Sequence, residues 1–288
     1  MSVPAVFDYH PVQSVDEAIA LLQLYGDEAK ILAGGHSLLP AMKLRLTQPE
    51  HLIDIGPIPN LAYIRKEKDA IVLGTLTRYK QIEQSEILHK YYPILPEGTA
   101  LIGDQQVRNR GTIGGSVAHS DPAGDMPGIV LALKAQLVVQ GANGTRTIAA
   151  DDFFVDTFLT ALEQDEIVTA IRLPLPAPHT GSAYAKISNK ASHYAIAGCA
   201  AVLTINKKGL CTSASIAITG ASTRIIRASE VEAALISKKL DDATITSASS
   251  HAVANADLIS DIHGSAEYRQ QMAAVITRRV IMHALERA

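Results

Sequence analysis

Cysteine and tryptophan are scarce or missing in this chain of 288 residues. It contains two cysteines, Cys199 and Cys211, and no tryptophan, and aromatic residues make up only 5% of it. Two thiols are too few for a disulfide framework or for an iron–sulfur cluster held by four thiolates, so both are excluded. We expect both cysteines to be reduced, buried and unreactive.

Long apolar runs and a strong excess of one charge are missing as well. Residues 1–10 lack a charged stretch followed by an apolar one, so no secretory signal is evident. Because no uninterrupted run of about 20 apolar residues occurs, the sequence predicts no membrane span. The net charge of −3 disfavours nucleic acid as a partner, since nucleic-acid-binding domains are usually basic. Together these absences predict a cytoplasmic globular protein.

What is present is typical of a folded chain with more than one domain. Apolar residues make up 47% and charged residues 19%, the balance of globular proteins. At roughly 150 residues per domain, the length predicts about two domains, each with a sizeable core. The stiff segment Pro174-Leu175-Pro176-Ala177-Pro178 is the best candidate for the boundary between them.

The N-terminal residues predict a small α/β unit. Ser14 begins a capping box that starts a helix, and Gly26 can end that helix. Apolar runs at 29–33 and 51–55 predict strands, and a short helix begins at 38–42.

The rest of the chain predicts mixed helices and strands. Before the prolines, helices are predicted at 79–88, 93–101 and 126–133, and strands at 61–65, 70–74, 136–140 and 166–171, with a hairpin turn at Asn143-Gly144. Asp104–Asp125 fits neither pattern, because glycine and polar residues interrupt its apolar ones. After the prolines, strands are predicted at 182–188, 198–206 and 212–219, followed by two or three helices, of which the last, near 266–286, is the longest.

Two glycine pairs stand out, in Ala33-Gly34-Gly35-His36-Ser37 and in Gly111-Thr112-Ile113-Gly114-Gly115-Ser116. Paired glycines let backbone amides approach an anion closely, and successive amides form a concave nest for phosphate. The hydroxyls of Ser37, Thr112 and Ser116 can add donors. Two such segments can hold the two phosphates of a dinucleotide from opposite sides; the alternative is that both are ordinary tight turns. Neither has the spacing of a Rossmann fingerprint or a P-loop.

Extended along the chain, the two segments resemble a known family. They read Ala33-Gly34-Gly35-His36-Ser37-Leu38-Leu39-Pro40 and Arg108-Asn109-Arg110-Gly111-Thr112-Ile113-Gly114-Gly115-Ser116-Val117-Ala118-His119-Ser120-Asp121-Pro122-Ala123-Gly124-Asp125. This pattern resembles the FAD-binding medium subunit of molybdenum hydroxylases, a family that includes aerobic carbon monoxide dehydrogenase and the flavin domain of xanthine dehydrogenase. The similarity extends over essentially the whole chain.

The resemblance implies an α+β fold. A two-part FAD-binding domain of the PCMH type, similar to that of vanillyl-alcohol oxidase, is followed by a three-stranded antiparallel sheet with helices. The FAD-binding domain would span residues 1–176, with a small α/β part at 1–56 and a larger α+β part at 57–176. The C-terminal domain, of the CO-dehydrogenase-flavoprotein type, would span residues 177–288.

The resemblance also implies which residues bind FAD. In the family both glycine segments hold the pyrophosphate, and other residues contact the ribityl or ribose hydroxyls and the flavin ring. By matching position, the FAD-binding residues are Leu32, Ala33, Gly34, Gly35, His36, Ser37, Leu38, Leu39, Thr112, Ile113, Gly114, Gly115, Ser116, His119, Asp125, Val168, Lys186 and Tyr194. No catalytic side chain and no metal ligand are implied.

Four of these residues have an implied role and an alternative. Asp125 would hydrogen-bond sugar hydroxyls, or it is a carboxylate favoured at a helix N-terminus. Val168 would pack near the flavin or adenine, or it is a core strand residue. Lys186 would favour the anionic reduced flavin and raise its reduction potential, or it is a solvated lysine. Tyr194 would cover one flavin face by stacking, or it is a core tyrosine.

Two positions depart from the family pattern. Ser116 stands where Asn or Asp is usual, so a water can take over that contact. His193, beside Tyr194, replaces the usual acidic residue. Two other histidines have alternatives: His119 lies in a stretch that can be interpreted as an oxygen–nitrogen metal site, although no second histidine has ligand spacing, and His36 positions the loop or touches a phosphate, or serves as a ligand or base.

The resemblance implies an electron-transfer subunit that binds no molybdenum. In the family, a large subunit carries the molybdopterin and a small subunit carries two 2Fe–2S clusters, and the assembly is a dimer of heterotrimers. FAD would collect electrons from the partner's cluster and pass them to an acceptor. A self-contained flavin oxidoreductase and a flavin-free assembly subunit stay open as alternatives. The sequence does not name the substrate (carbon monoxide, aldehyde, purine or N-heterocycle) or the acceptor (quinone, NAD, oxygen or a carrier protein).

Overall fold

The computed structural model describes residues 3–288, whose strands form four sheets of three, five, four and two strands. The three larger sheets follow one another along the sequence, and helices pack against them. No helix in the described range is both long enough and apolar enough to cross a membrane.

The first stretch is the small α/β unit that the sequence predicts. Its elements are β1 (Asp8–Pro11), α1 (Val15–Tyr25), a 3₁₀ turn (Gly26–Glu28), β2 (Ala29–Leu32), α2 (Leu38–Lys43) and β3 (His51–Asp54). Strand β3 lies between β1 and β2 and is parallel to both. Helix α1 begins as predicted, because Ser14 Oγ accepts a hydrogen bond from the Glu17 amide at 3.1 Å. It ends at Gly26, whose φ is +53°.

The middle stretch builds a five-stranded sheet with helices around it. Its elements are β4 (Ile64–Lys66), β5 (Ala70–Gly74), α3 (Tyr79–Glu83), α4 (Glu86–Tyr91), α5 (Ile94–Ala100), α6 (Gln105–Arg110), α7 (Ile113–His119), α8 (Asp125–Ala132), β6 (Gln136–Gly141), β7 (Gly144–Ala149), α9 (Ala150–Phe153), β8 (Phe154–Asp156), β9 (Leu159–Thr160) and β10 (Ile167–Pro174). The sheet has the order β4-β5-β10-β6-β7 and every neighbouring pair is antiparallel.

In two places of this stretch a capping side chain starts a helix that the sequence analysis did not predict. The single helix predicted at 79–88 is two helices, since Ser85 Oγ accepts from the Leu88 amide at 3.3 Å and starts α4. The irregular stretch Asp104–Asp125 contains α6 and α7. The Asp104 carboxylate accepts from the Val107 amide at 2.9 Å and starts α6, and Thr112 starts α7 in the same way.

The last stretch builds a sheet of four strands, one more than predicted. Its elements are β11 (Thr180–Ser188), β12 (Ala195–Ile205), β13 (Cys211–Thr219), β14 (Ile226–Arg227), α10 (Ser229–Leu235), α11 (Asp242–Ser249) and α12 (Ala266–Leu285). The extra strand, β14, has only two residues, too few to show a strand pattern in the sequence. Both cysteines are buried in the core between this sheet and its helices, as expected, and burial raises the pKa of Cys199 to about 12.

One arginine joins the last sheet to the middle stretch. On its own side, Arg227 of β14 donates to Ser215 Oγ at 2.8 Å and to the Glu232 carboxylate at 3.1 Å. Across the boundary it donates to the Leu131 carbonyl at 2.8 Å and pairs with the Asp151 carboxylate. Because the end of α8 and the start of α9 are held by the same guanidinium as the sheet, the two stretches are fixed relative to one another.

Replacing Arg227 should therefore destabilise the whole chain. In Arg227→Met, several part-buried acceptors lose their donor, and we expect the free energy of unfolding to fall by about 2–3 kcal/mol, measured by urea denaturation. The control is Arg224→Met, which removes an exposed arginine three residues away and should change stability little. Equal stability of both variants would contradict the bridging role of Arg227.

Candidate functional site

The first glycine segment is a turn that contacts the second segment through the backbone. It leaves β2 at Leu32 and enters α2 at Leu38. Gly35 has a φ of +77°, the left-handed conformation that glycine tolerates best. A Cβ atom on Gly34 would lie only 2.4 Å from the carbonyl oxygen of Arg110, so no side chain fits there. The two segments, about 75 residues apart in sequence, are thus brought together.

The amides of this turn point to no acceptor among the described residues. Within residues 3–288, the backbone N–H groups of Gly34–Leu38 donate to no protein acceptor. His36 is exposed, whereas the other residues from Leu32 to Leu39 are half-buried. Since amides without a partner need an acceptor from water or a ligand, this turn offers a set of donors to an anion.

The second glycine segment is the start of a helix, so the turn predicted there is wrong. Thr112 is the N-cap of α7, and its Oγ1 accepts from the Gly115 amide at 3.2 Å. The Ile113 and Gly114 amides donate to the backbone carbonyls of Thr77 and Thr75, each at 3.0 Å. The amides of Ile113, Gly114 and Gly115 therefore already have acceptors within the protein, unlike those of the first turn.

Packing explains why glycines occupy both positions in α7. A Cβ on Gly114 would lie 1.8 Å from Thr75 Oγ1, so Gly114 allows α7 to pack against the end of β5. A Cβ on Gly115 would lie 2.8 Å from Thr112 Oγ1 and 3.7 Å from the Cβ of Ala33. Gly115 therefore faces the first segment, and the space between the two segments depends on it.

A buried ion pair lies behind α7. Asp125, at the start of α8, is 7% exposed and accepts from Lys186 Nζ at 2.8 Å and from the Tyr184 hydroxyl. Burial raises the pKa of Asp125, and Lys186 opposes that rise. The Lys186 side chain is only 3% exposed, so the solvated-lysine alternative is wrong. Asp125 therefore lies at a helix N-terminus, as its alternative predicts, and is also paired with the charge of Lys186 from β11.

An aromatic side chain from the last sheet reaches the first segment. Tyr194, in the loop before β12, is 43% exposed, so the core-tyrosine alternative is wrong. Its hydroxyl lies beside Ser37 and the Asp121 carboxylate. Enclosure of this hydroxyl end and the charge of Asp121 raise the pKa of Tyr194, so the phenol is neutral near neutral pH. A half-exposed ring beside the free amides is a surface on which a planar ligand can stack.

Two further residues with alternatives, His119 and Val168, pack against other side chains of the protein. His119, at the end of α7, packs against Phe158 with ring centroids 4.9 Å apart and the ring planes tilted by 37°, and burial lowers the pKa of His119. In the described part of the chain, no group of three or more His, Cys, Asp or Glu side chains that could hold a metal ion is found. Val168 is 3% exposed within the main core, as its core-strand alternative expects.

Sequence reasoning missed two tyrosines at the site. The hydroxyl of Tyr79 lies beside Ser116, its amide donates to the Gly111 carbonyl at 3.0 Å, and burial raises its pKa. Tyr184 bonds Asp125. The period of two along β11 places Tyr184 on the same face as Lys186, and that signal could have identified it. No local signal identifies Tyr79, whose position comes from tertiary pairing.

These features fit a flavin dinucleotide. Unpartnered amides at Gly34–Leu38 suit a pyrophosphate, and the absent Cβ of Gly115 leaves room between the segments. Hydroxyl groups of Ser37 and Ser116 add hydrogen-bonding capacity, and Tyr194 offers an aromatic face.

The chain is similar to known proteins over almost all of its length. The family described as "FAD binding domain in molybdopterin dehydrogenase" matches residues 5–176, and that described as "CO dehydrogenase flavoprotein C-terminal domain" matches residues 182–284. The carbon monoxide dehydrogenase medium chain of Hydrogenophaga pseudoflava is 42% identical over 280 residues, which cover 97% of each chain.

Two further similarities extend this result. The 6-hydroxypseudooxynicotine dehydrogenase complex subunit alpha of Paenarthrobacter nicotinovorans is 38% identical over 285 residues, covering 99% of this chain and 96% of the other. A solved structure of carbon monoxide dehydrogenase from Hydrogenophaga pseudoflava, in a form that lacks the Mo-pyranopterin moiety of its molybdenum cofactor, aligns with a TM-score of 0.96 at 43% identity and covers 99% of both chains.

The buried ion pair predicts a pH-dependent stability change. An ionised Asp125 costs free energy in the folded state above its raised pKa, and protonation at lower pH relieves that cost. Lys186→Met removes the partner charge, so we expect its free energy of unfolding to be lower than that of the wild type by about 3 kcal/mol near pH 8, with a smaller deficit near pH 5. Urea denaturation at both pH values measures this. The double variant Asp125→Asn/Lys186→Met should recover much of the loss near pH 8, and a deficit that grows toward low pH would contradict the assignment.

Proposed function

Since this chain belongs to the family of FAD-binding subunits of molybdopterin dehydrogenases, we propose that it is the electron-transfer subunit of its complex. Its family is one of oxidoreductases, and FAD is its cofactor. In the proposal, electrons pass from the 2Fe–2S clusters of a partner, through FAD on this chain, to an external acceptor. The observation that carries the proposal is the set of unpartnered amides at Gly34–Leu38 beside Gly115 and Tyr194.

The residues proposed to hold FAD are those that the two segments and their neighbours contribute. The first turn supplies backbone donors for the pyrophosphate. Helix α7 leaves room for the ligand at Gly115, which has no side chain, and supplies the hydroxyl of Ser116. Tyr194 supplies an aromatic face for the flavin ring. The proposed set is Leu32, Ala33, Gly34, Gly35, His36, Ser37, Leu38, Leu39, Thr112, Ile113, Gly114, Gly115, Ser116, His119, Asp125, Val168, Lys186 and Tyr194.

In this proposal FAD carries out the redox chemistry and the protein binds and positions it. Bound FAD supplies the ability to exchange one or two electrons. The side chains of this chain bind it, orient it and keep it from leaving, and none of them needs to act as a nucleophile or general base. The neutral phenol of Tyr194 adds no charge at the ring.

Two relatives support electron transfer as the shared task. One belongs to an enzyme named for carbon monoxide and the other to an enzyme named for 6-hydroxypseudooxynicotine, yet both are similar to this chain over nearly its full length. A scaffold shared between complexes with such different substrates is best explained by a step that does not involve the substrate. We therefore propose that the substrate is chosen by the partner subunits.

The proposal includes an assembly and a location. The partners are a molybdopterin-containing large subunit and a small subunit with 2Fe–2S clusters, arranged as a dimer of heterotrimers. The FAD-binding domain comprises residues 1–176, divided at residue 56, and the C-terminal domain comprises residues 177–288. A cytoplasmic location agrees with the two buried, unpaired thiols, since a reducing compartment keeps thiols free.

Blocking the space between the glycine segments should weaken FAD binding. In Gly115→Val, the new side chain points toward Ala33 and Thr112, so we expect the assembled complex to hold FAD at least about tenfold more weakly, measured by titration of flavin fluorescence. The matched control is Ala118→Val on the exposed side of the same helix, which should retain FAD. Equal FAD affinity of the two variants, with circular dichroism unchanged, would refute the proposed site.

The electron route predicts that flavin reduction depends on the cluster-bearing partner. With the reducing substrate that the assembled complex is found by assay to oxidise, the visible flavin band should bleach far faster in the assembled complex than in one prepared without the small subunit, since electrons from that substrate reach FAD through the clusters. Stopped-flow absorbance measures both rates. Equal rates would contradict the proposed route while leaving FAD binding itself intact.

A further inference from the structure

Lys186 is a buried cation that joins two separate parts of the chain. Its Nζ donates to Asp125 Oδ2 at 2.8 Å and to the backbone carbonyl of His193 at 2.6 Å. Asp125 begins α8, whereas His193 belongs to the loop of residues 189–194 between β11 and β12. One ammonium group therefore ties this loop to the helix that follows the second glycine segment.

The 189–194 loop is held mostly by bonds within itself. The Asn189 amide donates to the Tyr194 carbonyl, and the His193 amide donates to the Asn189 carbonyl, both at 2.9 Å. His193 has a φ of +60°, a conformation that is unfavourable for a residue with a side chain. Outside the loop, Asn189 contacts the His263 ring at 2.8 Å, and Lys186 holds the opposite end at His193. The Lys186 bond thus supports a strained residue.

That strained residue directly precedes Tyr194. The Tyr194 hydroxyl lies beside Ser37 of the first glycine segment and beside Asp121. Two backbone hydrogen bonds also join the last sheet to the segment between α7 and α8. The Ala195 amide donates to the Ala123 carbonyl at 3.3 Å, and the Gly220 amide donates to the Pro122 carbonyl at 2.8 Å. The segment between α7 and α8 is therefore clamped against the last sheet where Tyr194 emerges.

The charge of Lys186 is compensated at close range. The Asp125 carboxylate lies 2.8 Å from Nζ, and both side chains are more than nine-tenths buried. A cation paired at this distance acts on more distant groups as a dipole, whose field falls off faster than that of a single charge. The contacts therefore favour a mechanical role for Lys186 over electrostatic tuning of a neighbouring cofactor.

We propose that Lys186 is a positioning residue that fixes the 189–194 loop to α8, so that Tyr194 is set against the first glycine segment before the cofactor binds. The inference rests on the proposed FAD-binding function and assigns the role of Lys186 within it. The carboxylate of Asp125 anchors Lys186, and Tyr184 anchors Asp125 in turn by donating its hydroxyl hydrogen.

The first test needs no bound cofactor. In the FAD-free assembled complex, hydrogen–deuterium exchange across residues 189–194 should be about tenfold faster in Lys186→Met than in the wild type. Lys186→Arg keeps the charge and the donors and should restore much of the protection. Lys190→Met, which removes an exposed lysine of the same loop, is the matched control and should leave exchange unchanged.

The second test separates positioning from charge tuning in the FAD-loaded complex. Lys186→Met should bind FAD about tenfold more weakly, while the midpoint potential of the flavin that is bound stays at the wild-type value. If Lys186→Met alone fails to fold, Asp125→Asn/Lys186→Met removes the unpaired carboxylate and is measured instead, with the same expected results.

Several outcomes distinguish the two ideas. Unchanged loop exchange together with a lowered flavin potential would overturn the positioning role and support electrostatic tuning. Unchanged exchange and unchanged FAD affinity would overturn it as well. A wild-type complex that binds no FAD would refute the proposed function, and the exchange measurement would still decide whether Lys186 holds the loop.

Discussion

A close backbone contact between Gly34 and Arg110 is the constraint on which the site depends. The turn after β2 approaches the chain just before α7 so closely that any side chain at Gly34 would meet the Arg110 carbonyl. This contact sets the small parallel sheet against the middle stretch of the chain. The unpartnered amides of the turn consequently lie beside α7, where a ligand can bridge the two.

The two walls of the site are prepared differently. The amides at the start of α7 are bonded to Thr75, Thr77 and Thr112, so that wall is complete without a ligand. The amides of the first turn have no acceptor within residues 3–288, so that wall gains bonds when water or an anion occupies the space. Because one wall is already hydrogen-bonded and the other presents free donors, ligand binding requires little rearrangement of the protein and favours an anionic ligand.

Sequence alone predicted the parts of this structure that local chemistry decides. The cap at Ser14, the end of α1 at Gly26 and most strands of the three larger sheets follow from side chains close in sequence, whereas β1 and the two-residue β14 were not predicted. The role of the second glycine pair does not follow from neighbouring residues. Gly114 has no room for a side chain because it packs against Thr75, which lies far away in sequence. The resemblance named Lys186 and Asp125 as separate FAD-binding residues, but their pairing across 61 positions is evident only when β11 meets α8.

The order of the contributing segments along the chain has a consequence for biogenesis. The proposed pyrophosphate donors lie in the first forty residues, whereas the proposed aromatic wall is Tyr194. The strands that flank Tyr194 are covered by the final helix, Ala266–Leu285. A ribosome must therefore release nearly the entire polypeptide before the pocket has all its walls. In this proposal FAD binds only after translation of the chain is nearly finished. A product truncated after the middle sheet would contain the glycine segments and still lack the aromatic wall of the pocket.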